Sequence, residues 1–126
     1  MVKNNIAIRV RYNECDPMGV VHHAVYPVWF EMGRTELLRE QGSSYCELEE
    51  QKLFLAVTDL QIKYKASAKY DDALSLVTSL DEVTNTRVKH TYTLLRNEQV
   101  IASASTTIVC VDDAGNVQHI PGAITS

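Results

Sequence analysis

Four residues set the chemical question. Asp16, Gly19, His22 and His23 stand directly ahead of the strongly helical segment of the chain, in the run Asp16-Pro17-Met18-Gly19-Val20-Val21-His22-His23-Ala24-Val25-Tyr26. A turn that feeds a helix leaves backbone N–H groups without partners, so it is a place to bind an anion or polarise a carbonyl. A carboxylate beside such a turn can act as general base or as nucleophile. In an Asp-Pro turn, Asp16 can equally spend its side chain bonding its own backbone. Gly19 suits a position that needs a positive φ. His23 lies nearest the helix start, where an N–H can polarise a carbonyl oxygen; its plainer role is a hydrogen-bonded histidine closing the turn. Val21, His22 and Tyr26 are the neighbours that would position a substrate. Neither an HxH nor an HxxxH spacing occurs, and Asp16 and Glu31 are too few carboxylates to complete a site, so no metal is expected.

The elements around this run follow from periodicity. Ile6, Ile8, Val10 and Tyr12 alternate with Ala7, Arg9 and Arg11, which predicts a half-buried strand. Pro27 limits the helix to a start no earlier than about Ala24, and Gly42 is a natural stop. No Ser, Thr, Asp or Asn occupies the expected N-cap, so the first amides have no obvious local partner. From Ala24 to Phe30 every residue but Pro27 is apolar or aromatic, which predicts a helix buried all round in its first half. Glu31, Arg34, Glu36, Arg39 and Glu40 then make it amphipathic, with Glu31 and Arg34 spaced as a helix-surface pair. Four further strands are expected. The first puts Phe54, Ala56, Thr58, Leu60, Ile62 and Tyr64 on one face; the others are marked by Leu74 to Leu80, Val88 to Leu94 and Val100 to Val111. His90 falls on an apolar strand face and reads as a satisfied core histidine. One strand, one long helix and four strands in succession predict an α+β domain with an antiparallel sheet. One sheet wrapped round one helix leaves the helix open on a side, and a second copy is the natural cover.

Composition narrows the classes. The chain has 126 residues, with 12 Lys and Arg against 16 Asp and Glu, a net charge of −4 that argues against a nucleic-acid partner. Its length suits a single domain over residues 1–126, with a core of about 6–111 and a tail of 112–126. The three cysteines form neither a disulfide framework nor a CxxC pair, which suits a reducing, cytoplasmic setting. The N-terminus lacks the apolar core of a signal peptide and no run is long enough to span a bilayer, so no membrane partner is expected. Lys63, Lys65 and Lys69, with Arg87 and Lys89, put cations on two strands or their ends. A solvated face is their default; on neighbouring strands they could hold ligand phosphates.

The run from Val10-Arg11-Tyr12 through Asp16 to Tyr26, and on to Trp29-Phe30-Glu31 and Arg34-Thr35, resembles the 4-hydroxybenzoyl-CoA thioesterase family of hotdog folds. It is also similar to the acyl-CoA thioesterases associated with the Tol-Pal cluster of bacteria. D-x-x-G-x-V-x-H-x-x-Y followed by W-F-E-x-x-R is far more specific than a lone D-x-x-G. The resemblance runs from about Ile6 to Val111, takes in Tyr64-Lys65-Ala66-Ser67-Ala68 and Asp71-Asp72, and departs at Ser67, where members often carry proline. It implies a long central helix wrapped by a bent five-stranded antiparallel sheet. It further implies dimers formed through edge strands, often paired into tetramers, with the active site at the dimer interface. The activity implied is hydrolysis of an acyl-CoA, aromatic (hydroxybenzoyl, naphthoyl) or short-to-medium aliphatic, with no cofactor beyond the CoA of the substrate. By motif, Asp16 would be the catalytic carboxylate and the first helix amides, at His23 or its neighbours, the oxyanion contacts. His23 itself matches the Tol-Pal branch. Lys65, Arg87 and Lys89 would serve the CoA phosphates. Two other readings stand beside it: a hotdog dehydratase or hydratase, with His23 as base and Asp16 as its partner, and a non-catalytic acyl-thioester-binding module.

Overall fold

The computed structural model describes residues 2–122. Strand β1 spans Lys3–Arg9, and helix α1 spans Tyr26–Glu40 after short 3-10 turns at Tyr12–Glu14 and His23–Val25. A second helix, α2, covers Tyr45–Glu50, and four strands follow: β2 at Leu53–Tyr64, β3 at Ala73–Val83, β4 at Arg87–Arg96 and β5 at Gln99–Asp112. All five strands join one antiparallel sheet in the order β1-β3-β4-β5-β2. The long helix against one face of this sheet is the hotdog arrangement expected from the sequence.

Helix and sheet meet over two apolar clusters. Trp29 and Phe30 of α1 pack with Ile8, Leu74, Leu76, Tyr92 and Leu94; Leu37 and Leu38 pack with Leu48, Leu80 and Val88. Gly33 lies between them. A Cβ added there would collide with the Thr78 hydroxyl and stand 3.0 Å from Leu76, so the helix backbone lies almost directly on β3. The helix ends in a Schellman motif. Gly42 takes φ +87, its N–H donates to Arg39 O at 3.0 Å, and the Ser43 N–H donates to Leu38 O at 3.1 Å.

Three expectations are corrected. The first strand stops at Arg9; Tyr12 is on a 3-10 turn with its ring 80% exposed. The regular alternation expected for β2 fails at a bulge, where pairing with β5 slips between Val57 and Asp59. One extra residue reverses the facing of everything beyond it. Leu55 and Val57 therefore share a face with Leu60, Ile62 and Tyr64, while Phe54 and Ala56 take the other. The first half of α1 is not buried all round either: Val28 is 54% exposed and Met32, one turn on, 45%. Met32 borders a pocket with Ile6 and Ala7 of β1. Beyond β5 the chain turns at Gly115 and runs back along the sheet, where the Gln118 N–H donates to Cys110 O and the Ile120 N–H to Asn85 O. Of the tail expected over 112–126, residues 123–126 lie outside the described residues.

Candidate active site

Asp16 serves the turn with one oxygen only. Its N–H donates to Val20 O at 2.8 Å, and its own carbonyl accepts from the Gly19 N–H at 2.9 Å. Oδ1 accepts from the Met18 N–H at 2.9 Å. Gly19 closes the turn with φ +80, a conformation that L side chains adopt at a cost. Oδ2 has no partner among the described residues. The turn and the chemistry are therefore compatible, because each uses a different oxygen.

The turn is fastened to the helix by a residue that sequence reasoning passed over. Glu14 is buried, at 6% exposure. Its Oε1 accepts from the Arg11 N–H at 2.7 Å and its Oε2 from the Trp29 indole N–H at 2.9 Å. Its backbone carbonyl accepts from the His22 N–H at 3.0 Å. One residue thus ties together the chain before Asp16, the chain after it, and helix α1. Burial pushes the Glu14 carboxyl up, but the bonds from Arg11 and Trp29 together outweigh it and hold it below the usual carboxylate range. The available signal was spacing: a Glu three residues after Arg11 fits the reach-back of a helix-start carboxylate to the cap N–H.

The 3-10 turn that leads into α1 is capped by an imidazole. His22 Nδ1 accepts from the Ala24 N–H at 3.0 Å, and His22 O accepts from the Val25 N–H at 3.0 Å. Helix α1 itself starts at Tyr26 with Val25 at its N-cap and no side-chain cap, as expected. The N–H of His23, by contrast, has no acceptor among the described residues. The His23 ring stacks on His22 with centroids 4.2 Å apart, and His23 O accepts from the Tyr64 hydroxyl at 3.0 Å. His22 is therefore a cap, and His23 offers its backbone to the site.

Within one subunit these groups border two neighbouring pockets. Asp16 and Gly19 line a pocket of about 440 Å³ with Tyr12, Cys15, Pro17 and Tyr70. His23, Val20, Val21 and Tyr26 line another of about 270 Å³ with Tyr64, Lys65, Ala66 and Ser67. The segment from Gly19 to Val21 is the wall between them. Tyr26 is buried against Trp29 and Tyr64. Of the three cations expected to act together, only Lys65 lies here. The Lys65 N–H donates to Ile101 O, whereas Arg87 pairs with Val109, eight residues further along β5 and therefore about 26 Å away. Lys89, opposite Thr107, lies at the same far end, so a single subunit does not gather these cations into one cluster.

Helix α1 carries a second polar group that the sequence assigned differently. Arg34 forms no surface pair with Glu31. It is buried, and donates to the Tyr92 hydroxyl at 3.1 Å, which is itself 2.6 Å from the Thr106 hydroxyl. His90 is buried beside this chain with Nδ1 unpaired, so it is a core histidine but not a satisfied one. Burial first, and then the Arg34 charge, lower its pKa to about 4. Among the described residues no group of three or more His, Cys, Asp or Glu is placed to hold a metal ion, and no helix is long and apolar enough to cross a membrane.

Comparison with known proteins gives this geometry a context. Residues 10–125 match the family described as the Thioesterase-like superfamily. The acyl-CoA thioesterase YbgC of Haemophilus influenzae is 39% identical over 83% of this chain and 78% of its own length. The putative acyl-CoA thioesterase YneP of Bacillus subtilis is 32% identical over 83% of this chain and 77% of its own. Among solved structures, a DHNA-CoA thioesterase from Staphylococcus aureus superposes with a TM-score of 0.91 at 29% identity, covering 94% of this chain and 81% of that one.

Proposed function

The chain belongs to the Thioesterase-like superfamily, and from that membership we infer that it is an acyl-CoA thioesterase, hydrolysing an acyl-CoA to the free acid and CoA. One observation carries the assignment of residues. An unpartnered carboxylate oxygen at Asp16 and an unpartnered N–H at His23 flank the same Gly19–Val21 wall at the start of α1. A thioester carbonyl lying across that wall would point its oxygen at the His23 N–H and the positive end of the helix dipole. Two routes use this geometry. Asp16 Oδ2 attacks the carbonyl carbon, the C–S bond breaks, CoA leaves as thiolate, and water cleaves the resulting anhydride. Alternatively Asp16 takes a proton from a water that attacks the same carbon. In both, negative charge gathers on the carbonyl oxygen, and the His23 amide answers it. No cofactor takes part beyond the CoA that arrives with the substrate.

The finer parts of the proposal rest on the surface of the subunit. Strand β2 is a sheet edge of 12 residues and exposes Phe54, Val57, Leu60 and Tyr64. An uncovered edge of that length supports a homodimer formed on it, with the site at its seam; a tetramer would pair two such dimers. Lys65 is the cation best supported as a CoA phosphate contact, and Arg87 and Lys89 would reach a site only from another subunit. A cytoplasmic setting belongs to the same proposal.

The test is release of free thiol from a panel of aryl and aliphatic acyl-CoAs. Turnover above buffer for at least one member is expected. No release from any of them would overturn the assignment, and hydration of an enoyl-CoA in their place would favour a hydratase.

A further inference from the structure

Arg34 carries a buried charge that no carboxylate answers. It is 8% exposed and lies about 12 Å along α1 from the helix start. A guanidinium has five N–H donors and can grip a carboxylate with two of them at once. The acceptors of Arg34 are the phenols of Tyr92 and Tyr45, and its Nε has none. Among the described residues it forms no ion pair, although Glu31 stands one turn earlier on the same helix. Its other buried neighbours are neutral: Thr106 is a hydroxyl, and His90, with a pKa lowered to about 4, stays unprotonated at neutral pH. These groups solvate the charge without cancelling it, and burying an uncancelled charge is costly.

Arg34 also borders open space. It lines a cavity of about 400 Å³ between α1, α2 and β2, together with Glu31, Tyr45, Glu49, Leu55 and Val57. None of the residues of this cavity lines the pockets of Asp16 or His23. The lining sets the chemistry of a guest. Leu55 and Val57 offer an apolar wall, so the guest has an apolar body. Glu31 and Glu49 are exposed, so water weakens their repulsion of one negative charge more than it weakens the attraction of the buried guanidinium. A dianion such as a phosphate ester meets that repulsion twice over and lacks the apolar body. Strand β2 of a second copy brings no anion either: Leu55, Val57, Leu60, Ile62 and Tyr64 share this face of the strand, and none is acidic. We propose that the cavity binds a monocarboxylate with an apolar body, its carboxylate seated on Arg34. The site stands apart from the thioesterase reading, because it takes nothing from Asp16 or His23.

Heteronuclear NMR of the Arg34 Nε–H signal, assigned through its side-chain carbons, reads the site directly. Wild-type protein is titrated with sodium octanoate, sodium phosphate and sodium chloride at constant ionic strength. Octanoate is expected to move the signal to saturation, while phosphate and chloride leave it in place. Calorimetry then gives octanoate affinities for Arg34→Lys, Val57→Trp, Glu49→Gln and Asp16→Asn, with melting curves to verify that each is folded. Affinity should fall roughly tenfold in Arg34→Lys, which keeps the charge but loses the fork. It should fall as well in Val57→Trp, which keeps Arg34 and narrows the cavity from an exposed wall, so the test holds even where Arg34→Lys does not fold. Glu49→Gln should bind about two- to threefold more tightly, having lost a repelling charge, and Asp16→Asn should bind like the wild type. An Arg34 signal that octanoate does not move, or moves no more than chloride does, would overturn the site. So would an affinity lost in Asp16→Asn and kept in Val57→Trp, which would assign the acid to the hydrolytic pocket.

Discussion

The two ends of helix α1 are built to opposite purposes. At the C-terminal end every device closes the helix: Gly42 takes the left-handed conformation, its N–H and that of Ser43 answer Arg39 O and Leu38 O, and Leu37 and Leu38 are buried below. At the N-terminal end the closure is partial. His22 answers the amides of Ala24 and Val25, but the His23 N–H is left open, and a carboxylate with one free oxygen is fixed next to it. A helix needs its orphan groups answered for stability. His23 is exposed, so water can answer its N–H until a ligand takes that place. The comparison separates a stabilising end from a working end on one element.

Breaking each end should therefore move different quantities. The largest effect is expected from Asp16→Asn. Turnover should fall on the order of 10³-fold, the range for loss of a general base or more, while the denaturation midpoint hardly moves, because Asn can still accept from the Met18 N–H. Glu14→Ala should move both quantities. It strands the buried Trp29 indole N–H and frees the partly buried Arg11 N–H, for a loss of about 1–3 kcal/mol in urea unfolding, and kcat should drop because the Asp16 turn is no longer tied to α1. Glu14→Gln should recover part of both.

A third effect lies between the two ends, under the middle of α1. The pKa of His90 is lowered to about 4 in the folded state, from 6.5 when unfolded. Between those values the unfolded chain binds a proton that the folded chain refuses, so stability must fall as pH drops from about 6.5 towards 4. The loss should approach roughly 3 kcal/mol below that window. Urea unfolding across pH should show this slope, and His90→Gln should flatten it. The smallest effects are a matched pair. His22→Ala and Gly42→Ala should each cost about 1 kcal/mol, the first by losing a cap and the second by putting a Cβ on a left-handed residue. Only His22→Ala should also lower kcat. Equal effects of both variants on kcat would erase the distinction between the ends.

Much of this was legible in the sequence. The strands, the helix, the stop at Gly42 and the grouping around Asp16 follow from periodicity and turn chemistry. What escaped did so for physical reasons. The bulge at Val57 leaves no mark in composition, because Val57 and Thr58 suit a strand on either face. Glu14 looked like an ordinary turn residue; its value comes from an indole 15 residues away that only the fold brings to it. Arg34 has the spacing of a surface pair with Glu31, and only the helix rotation set by Trp29, Phe30 and Gly33 turns it inward to Tyr92. The histidine pair was visible, but which one caps and which one offers its amide depends on a bond from the Ala24 N–H to His22 Nδ1. Residue types locate such a site; bonds made at a distance divide its roles.

The open amide is the centre of this account, and it can be removed without touching a side chain. Replacing His23 by its α-hydroxy acid analogue turns the backbone N–H into an ester oxygen and leaves the imidazole in place. Measured on the best acyl-CoA of the panel, kcat should fall on the order of 10²-fold, as when one oxyanion donor is lost, with KM little changed and the fold intact. An ester at His23 that turns over like the wild type would contradict the account.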